Sequence, residues 1–274
     1  VLAGRWAAWL DNHREVRWAD VVATAARHRT HFAVRSGVVA DSPAEAAAQL
    51  RALAAGQAPR DIAHAAPGEG ALAVIFTGQG SQRPGMGKEL AETHPEFRDR
   101  LAEVLAALDV HLERPLATIL WGPSDGAHSQ LLGQTAYTQP ALFALEVALF
   151  RQWAAWGLKP EYVAGHSVGE LAAAHVAGIL SLEDAAKLVC ARGRLMQDCE
   201  RGGAMVSLDA SEAEVQETLA TVAGRIAIAG LNGPRQTVVS GDEAPVLALA
   251  EAFRARGCRV RRLDVSHAFH SPHM

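Results

Sequence analysis

The sequence predicts an α/β protein: a parallel sheet with helices on both faces, carrying an inserted α+β unit and preceded by a small α/β segment. Three observations predict it. From residue 71 onward, short apolar strands alternate with amphipathic helices, which implies parallel pairing through helical crossovers. Residues 203–266 follow the order βαββαβ, the ferredoxin-like split pattern. Residues 1–70 have a separate αα-β-α rhythm that ends in a Pro/Gly-containing stretch without apolar periodicity, 57–70, where a boundary is placed. The chain has 274 residues, 49% of them hydrophobic, so about two compact units with a sizeable core are expected, not disorder.

The elements follow in order. Trp18 to His28 carries Trp18, Val21, Val22, Ala25 and Ala26 at helical spacing. Phe32 to Ala40 alternates as a strand. Ser42-Pro43-Ala44-Glu45 then opens a helix, with Ser as N-cap, Pro at the first helical position and Glu closing a capping box. Leu72 to Phe76 is a buried strand followed by Gly78-Gln79-Gly80-Ser81-Gln82, and Phe97 to Leu108 is helical. Thr138-Gln139-Pro140 starts a strong helix with Leu142, Leu145, Leu149, Trp153 and Trp156 on one stripe. Tyr162 to Ala164 is the next strand, and it runs directly into an alanine-rich helix. In the insert, strands are expected at 204–208, 225–230, 236–240 and 259–265, helices at 211–222 and 244–256, and a turn at Asn232-Gly233-Pro234.

Charge and cysteine content exclude several function classes. The net charge is −4, from 26 basic and 30 acidic residues without a long block of one sign, which argues against a nucleic-acid or anionic-membrane partner. No apolar run approaches the ~20 residues of a membrane span. Cys190, Cys199 and Cys258 form no CxxC and no disulfide framework, so a reducing cytoplasm is the expected compartment. Because it begins at Val1 and stops at Met274 just after a dense motif, the chain reads as an excerpt of something longer.

The strongest chemical signal is Gly165-His166-Ser167-Val168-Gly169 between a strand and a helix. A G-x-S-x-G turn in that context is a nucleophile elbow, which lifts the serine hydroxyl above the sheet edge. The Val168 amide then lies at a helix N-terminus, where it can donate to a developing oxyanion. The competing reading is a glycine-rich turn with an incidental serine; the flanking strand and helix favour the elbow. A serine needs a base, usually histidine. Most histidines stand singly, the exception being Ser266-His267-Ala268-Phe269-His270-Ser271-Pro272-His273. Three histidines spaced by three invite a metal, but Pro272 opposes a helix and no HExxH or carboxylate accompanies them, so none is expected. A base that follows the nucleophile is the better account.

The loop at 78–82 looks like a phosphate cradle but fails both patterns. Arg83 stands where a dinucleotide motif needs its third glycine, and Gly87-Lys88 is followed by Glu89. As the loop after the first core strand, it can instead supply a second oxyanion donor, each such donor being worth ~2.7–4 kcal/mol. Arg192 falls amid the apolar stripe Ala185, Leu188, Val189, Leu195, Met196 and Cys199 of a helix capped by Ser181, with Arg194 opposite. A buried guanidinium needs either a protein carboxylate or an anionic substrate, to which its planar fork is suited.

Together these motifs resemble the acyltransferase domain of modular type I polyketide synthases, within the malonyl-CoA:acyl carrier protein transacylase family, over essentially the whole chain. The resemblance implies an α/β-hydrolase-like core at 71–202 and 267–274 carrying the ferredoxin-like subdomain at 203–266. Residues 1–70 resemble the linker that joins a ketosynthase to the acyltransferase. By resemblance, Ser167 of GHSVG is the nucleophile, His270 of HAFH the base, and the amides of Gln79 and Val168 the oxyanion hole. Arg192 of CARGRLMQ corresponds to the arginine that grips the extender's free carboxylate, and Gln139 (TQPAL) and Asn232 (NGP) match positions near the family's active site.

The implied reaction is ping-pong, with malonyl-CoA as substrate, no bound cofactor, and the phosphopantetheine thiol of an acyl carrier protein domain as acceptor. The adjoining ketosynthase is the other implied partner. His267-Ala268-Phe269-His270 resembles the malonyl-selective form of the specificity motif, where methylmalonyl-selective relatives show Tyr-Ala-Ser-His, and Val168 departs from their Gln. Phe269 would fill the room an α-methyl needs, a discrimination of only ~1–3 kcal/mol. Family members continue past the SPHM segment and begin the linker with a strand missing here, so the large subdomain is expected to be incomplete at its C-terminus. No acidic triad member can be chosen from Asp184, Asp198, Asp242 or Asp264. The alternatives are another extender such as methylmalonyl, a serine esterase or thioesterase using the same pair with water, and a non-catalytic docking scaffold.

Overall fold

A computed structural model describes residues 1–57, 62–65, 70–122 and 126–274, without the side chains of 62–65, 127 and 129. The described chain divides into two compact units, Val1–Ala71 and Leu72–Met274. Most of the expected boundary stretch, at 58–61 and 66–69, lies outside the described residues.

The first unit holds α1 (Leu2–Asn12), α2 (Trp18–Arg27), β1 (Arg35–Val38), α3 (Pro43–Ala54) and β2 (Ile62–Ala65). Ala7 and Leu10 of α1 pack with Ala46 and Ala47 of α3 and with Val21, and the Trp18 indole donates to the Ala40 carbonyl at 3.0 Å. The cap of α3 is as expected at Ser42, whose Oγ accepts from Glu45 N at 3.2 Å. Glu45 reaches back one residue further than a capping box, to Asp41 N at 2.9 Å. Two expectations change. The strand at 32–40 shrinks to β1, with Phe32, Val34 and Val39 exposed, and β2 pairs antiparallel with it inside the expected boundary stretch. Of the α2 stripe only Val21 is buried, while Val22, Ala25 and Ala26 are exposed.

The second unit opens with β3 (Ala73–Phe76), α4 (Lys88–Thr93), α5 (Pro95–Asp109), α6 (Leu116–Trp121), α7 (Ala127–Leu132) and α8 (Thr135–Ala155). β4 (Tyr162–Gly165), α9 (Gly169–Val176) and α10 (Leu182–Gln197) follow. β3 and β4 are parallel, with Phe76 opposite Gly165. The core lies among the helices: Phe97, Leu101 and Leu108 of α5, Phe143, Ala144 and Val147 of α8, Ala172 of α9, and Ala185 and Val189 of α10 are all fully enclosed. Burying each large apolar side chain contributes about 1.5–3 kcal/mol.

α8 departs from expectation at both ends. It begins at Thr135, a turn before Thr138, and runs through Pro140. The Thr138 hydroxyl ties this first part down by donating to the Leu132 carbonyl at 2.6 Å. At the other end Trp153 and Trp156 are more than half exposed. The helix buries its Ala141–Ala144 and Val147–Ala148 faces instead, where small residues let α10 approach closely. The α10 stripe shifts in the same way: Cys190 and Gly193 are buried and Leu188 and Leu195 exposed. Burial, followed by the charge of Asp109, pushes the Cys190 thiol up to about 12, so it is inert.

The insert comprises β5 (Ala204–Leu208), α11 (Glu212–Leu219), β6 (Ile226–Gly233), β7 (Gln236–Gly241), α12 (Glu243–Ala255) and β8 (Val260–Arg262). The sheet order β6-β7-β5-β8, antiparallel throughout, is the ferredoxin-like arrangement. β6 runs on through Asn232 and Gly233 with register shifts, so the expected turn at 232–234 moves to Pro234-Arg235. The period-two alternation of strands decides what each face does. Ala204, Val206, Leu208 and Val239 face α11 and α12, packing on Val215, Val246, Leu249 and Phe253. Met205 and Val238 point the other way and meet Phe269.

Candidate active site

Ser167 stands between β4 and α9 with φ +55°, a left-handed conformation that costs a non-glycine residue roughly 1–2 kcal/mol. Its surroundings enforce it. His166 N donates to Phe76 O at 2.9 Å, extending the β3–β4 pair, and Gly169 N and Glu170 N fold back on the His166 and Ser167 carbonyls at 3.1 Å each. Only glycine fits the two flanks. A Cβ on Gly165 would lie 2.1 Å from Glu170 N, and one on Gly169 2.5 Å from Thr77 O. This is the close strand–helix approach that the elbow pattern encodes.

His270 reaches the same point from a stretch 103 residues away, its Nε2 lying 2.9 Å from Ser167 Oγ. It too has a left-handed backbone, φ +56°; among the described residues only Ser167 and His270 are non-glycines with positive φ. Burial, then the charges of Arg192 and His166, hold its ring below the ordinary histidine value, which favours the neutral, proton-accepting form.

Arg192 projects from α10 toward this pair. One guanidinium nitrogen donates to Gln139 Oε1 at 2.6 Å and another to Ser167 Oγ at 3.4 Å. Among the described residues no carboxylate pairs with it, and burial lowers its pKa from the ordinary arginine value. Of the two partners the sequence left open for it, a protein carboxylate is not found among the described residues. Gln139, 1% exposed, is held in turn by its amide contact to the Met196 sulfur at 3.4 Å.

A cavity of about 210 Å³ opens over the pair, lined among others by Gln79, Gln139, Asn232, Met196, Phe269 and Ala229. Asn232 Oδ1 accepts from His166 Nε2 at 3.1 Å. The backbone N–H groups of Gln79 and Val168 make no hydrogen bond among the described residues, while the Val168 side chain is buried in the core. Phe269 packs on Met205 and Val238 and forms one wall. His267 is placed differently from expectation. Its ring is 1% exposed, tilted behind Phe269 at 5.7 Å, with Nδ1 2.8 Å from Ser266 Oγ, so it backs the wall and does not line it. Among the described residues no group of three or more His, Cys, Asp or Glu side chains is arranged to hold a metal.

Sequence reasoning missed two groups. Glu146 of α8 accepts from both Thr77 N and Thr77 Oγ1 at 2.7 Å, anchoring the start of the Gln79 loop. Burial raises its pKa, and the two Thr77 bonds oppose that rise. His166 bridges to Asn232. Neither carries a local signal, because their partners lie 69 and 66 residues away. A larger apolar cavity of about 630 Å³, between β3 and α8, contains neither Ser167 nor His270.

The acyl transferase domain model matches residues 73–274, and a CurL-like, PKS C-terminal model matches residues 1–50. Polyketide synthase GfsA of Streptomyces halstedii is 50% identical over 279 residues, covering 99% of this chain and 4% of GfsA. The acyltransferase domain from module 8 of the salinomycin polyketide synthase superposes with a TM-score of 0.88 at 36% identity, covering 99% of this chain and 64% of that one. A malonyl-CoA:acyl carrier protein transacylase (FabD) of Xanthomonas oryzae pv. oryzae gives 0.65 at 39% identity, covering 74% and 64%. The chain thus spans a small part of the curated synthases and under two thirds of the solved domains. With its elbow, its α/β core and its ferredoxin-like insert falling inside the matched span, this chain belongs to the acyl transferase domain family.

Proposed function

We propose that this chain loads an extender unit, malonyl, from coenzyme A onto the phosphopantetheine thiol of an acyl carrier protein through an acyl ester on Ser167. The observation that carries the reading is the half-buried Arg192 guanidinium, without a carboxylate partner among the described residues, 3.4 Å from a hydroxyl that His270 meets at 2.9 Å. Ser167 Oγ attacks the thioester carbonyl as His270 Nε2 takes its proton. The Gln79 and Val168 amides receive the oxyanion, and the thiolate of coenzyme A leaves with the proton from His270. The carrier thiol then repeats the sequence on the ester. Arg192, steadied by Gln139, holds the substrate's free carboxylate throughout.

Phe269, wedged against Met205 and Val238, narrows the cleft where an α-methyl would sit, which favours malonyl over methylmalonyl. His267 supports that wall from behind, and Asn232 closes the cleft from the insert side. Residues 1–70 serve as the linker to an adjoining ketosynthase, a reading supported by the match over residues 1–50. Among the described residues no helix is long and apolar enough to cross a membrane. No metal or other bound cofactor enters the chemistry.

The test is intact-mass analysis after incubation with malonyl-CoA and methylmalonyl-CoA in competition. One malonyl group is expected to add, predominantly from malonyl-CoA, and Ser167→Ala abolishes the shift. Labelling by acetyl-CoA as efficient as by malonyl-CoA would remove the role given to Arg192.

A further inference from the structure

We infer that His273 and Asp242 form a positioning pair that clamps the backbone of His270 in its left-handed conformation and so keeps its imidazole on Ser167. This rests on the Ser167/His270 reading above. A left-handed non-glycine residue persists only where its surroundings over-determine it, and His270 lies in a short irregular segment with no helix or strand to hold it. Upstream, the segment is fixed by His267, which forms an isolated parallel bridge with Gly202, and by Ala268, which is wholly buried. Downstream, Ser271 Oγ donates to Ala268 O at 2.6 Å and accepts from His273 N at 3.2 Å, closing a small loop around His270.

That loop is tied to the insert by one side chain. The His273 ring is 4% exposed, and its Nε2 lies 2.8 Å from Asp242 Oδ1. A carboxylate only accepts, so the proton sits on His273 Nε2 and donates across the gap. Asp242 is itself immobilised at the start of α12. Its Oδ2 accepts from Arg225 N at 3.0 Å, and its Oδ1 pairs with the Arg225 guanidinium at 3.1 Å. Arg225 in turn holds Glu200 at 3.1 Å. The Arg225 backbone bond, then the His273 bond, keep the Asp242 carboxyl below the usual carboxylate range, which favours its ionised, accepting form. The site is shaped for this fit: a Cβ on Gly203 would lie 2.8 Å from Ala268 Cβ and 3.3 Å from His273 Cε1. Neither His273 nor Asp242 touches Ser167 or lines the cleft, so the pair acts through His270.

Single-turnover acylation of the full chain by malonyl-CoA separates positioning from folding, because a loss of folded protein lowers the burst amplitude whereas a misplaced base lowers the rate constant. His273→Leu is expected to keep the amplitude and the half-saturating malonyl-CoA concentration within about twofold while the rate falls roughly 10–100-fold, the scale of an ångström-sized misplacement. His273→Gln, which retains a donor at nearly the same position, is expected to return the rate to within about threefold of the parent. An unchanged rate with His273→Leu, an amplitude loss at unchanged rate, or a Gln variant no better than Leu would each overturn the inference. Should His273→Leu fail to fold, Asp242→Ala, which leaves His273 Nε2 without its acceptor, gives the same reading with the histidine in place: a slower rate at full amplitude supports the clamp, and an unchanged rate refutes it. Ser167→Ala and His270→Ala run alongside. Parent-like acylation by either removes the Ser/His reading itself, whereas their loss of acylation with a parent-like His273→Leu removes only the clamp.

Discussion

Replacing Arg192 by alanine separates two jobs that its geometry permits. The guanidinium touches Ser167 Oγ at 3.4 Å, so it could support the nucleophile; it also carries a charge unpaired among the described residues beside the cleft, so it can read an acid. If it reads the acid, Arg192→Ala leaves the malonyl carboxylate desolvated and alone. Removing one partner of a buried charge pair costs about 2–5 kcal/mol, and at 1.36 kcal/mol per decade we expect malonylation kcat/KM to fall by roughly 30- to 5,000-fold. Acetyl-CoA has no carboxylate to lose and should slow by less than about tenfold, so the malonyl-to-acetyl preference collapses. Lysine supplies a point charge without the planar fork and should recover only part of the loss. The apo protein loses a buried cation but leaves Gln139 Oε1 without its 2.6 Å donor, two changes of opposite sign, so stability should move by no more than about 1 kcal/mol. The assay is the rate of Ser167 acylation by each thioester, followed by intact mass, with thermal unfolding as control. Equal slowing of both thioesters would refute the reasoning, because it would mean that Arg192 serves the hydroxyl and not the substrate's charge.

Burial first, then the Arg192 and His166 charges, depress the His270 pKa, so acylation should rise with pH through an inflection below about 6.5 and then level off. Arg192→Ala should move that inflection upward in a pH–rate profile; an inflection that stays put would remove the coupling. Stability follows the same sign: folded His270 binds fewer protons than the unfolded chain, so its contribution falls as pH drops from about 6.5 toward the folded value and is constant above. Phe269→Ser opens the wall against Met205 and Val238, and in competition labelling it should raise methylmalonyl relative to malonyl incorporation by roughly 10–200-fold. An unchanged ratio would assign selectivity to another side chain.

What the sequence determined by itself is whatever is carried by neighbours along the chain. The elbow at 165–169 is legible because strand, tight turn and helix are consecutive, and the glycines that permit their approach are spelled out in place. The caps at Ser42 and Ser181 were legible for the same reason, since each bonds an amide three residues on. So was the insert, whose βαββαβ order shows in its alternation before any pairing is known. The tertiary structure alone decided which apolar faces meet: it exposed Trp153 and Trp156, turned Leu188 and Leu195 outward, and put His267 behind the cleft wall. It alone also joined Arg192 to Gln139, Thr77 to Glu146, His166 to Asn232 and His273 to Asp242, pairs 31 to 69 residues apart. A hydrogen bond acts over about 3 Å, and local spacing cannot encode which distant element is brought within that reach. That is set by how helices of alanine and glycine close on one another and which face of a strand turns inward.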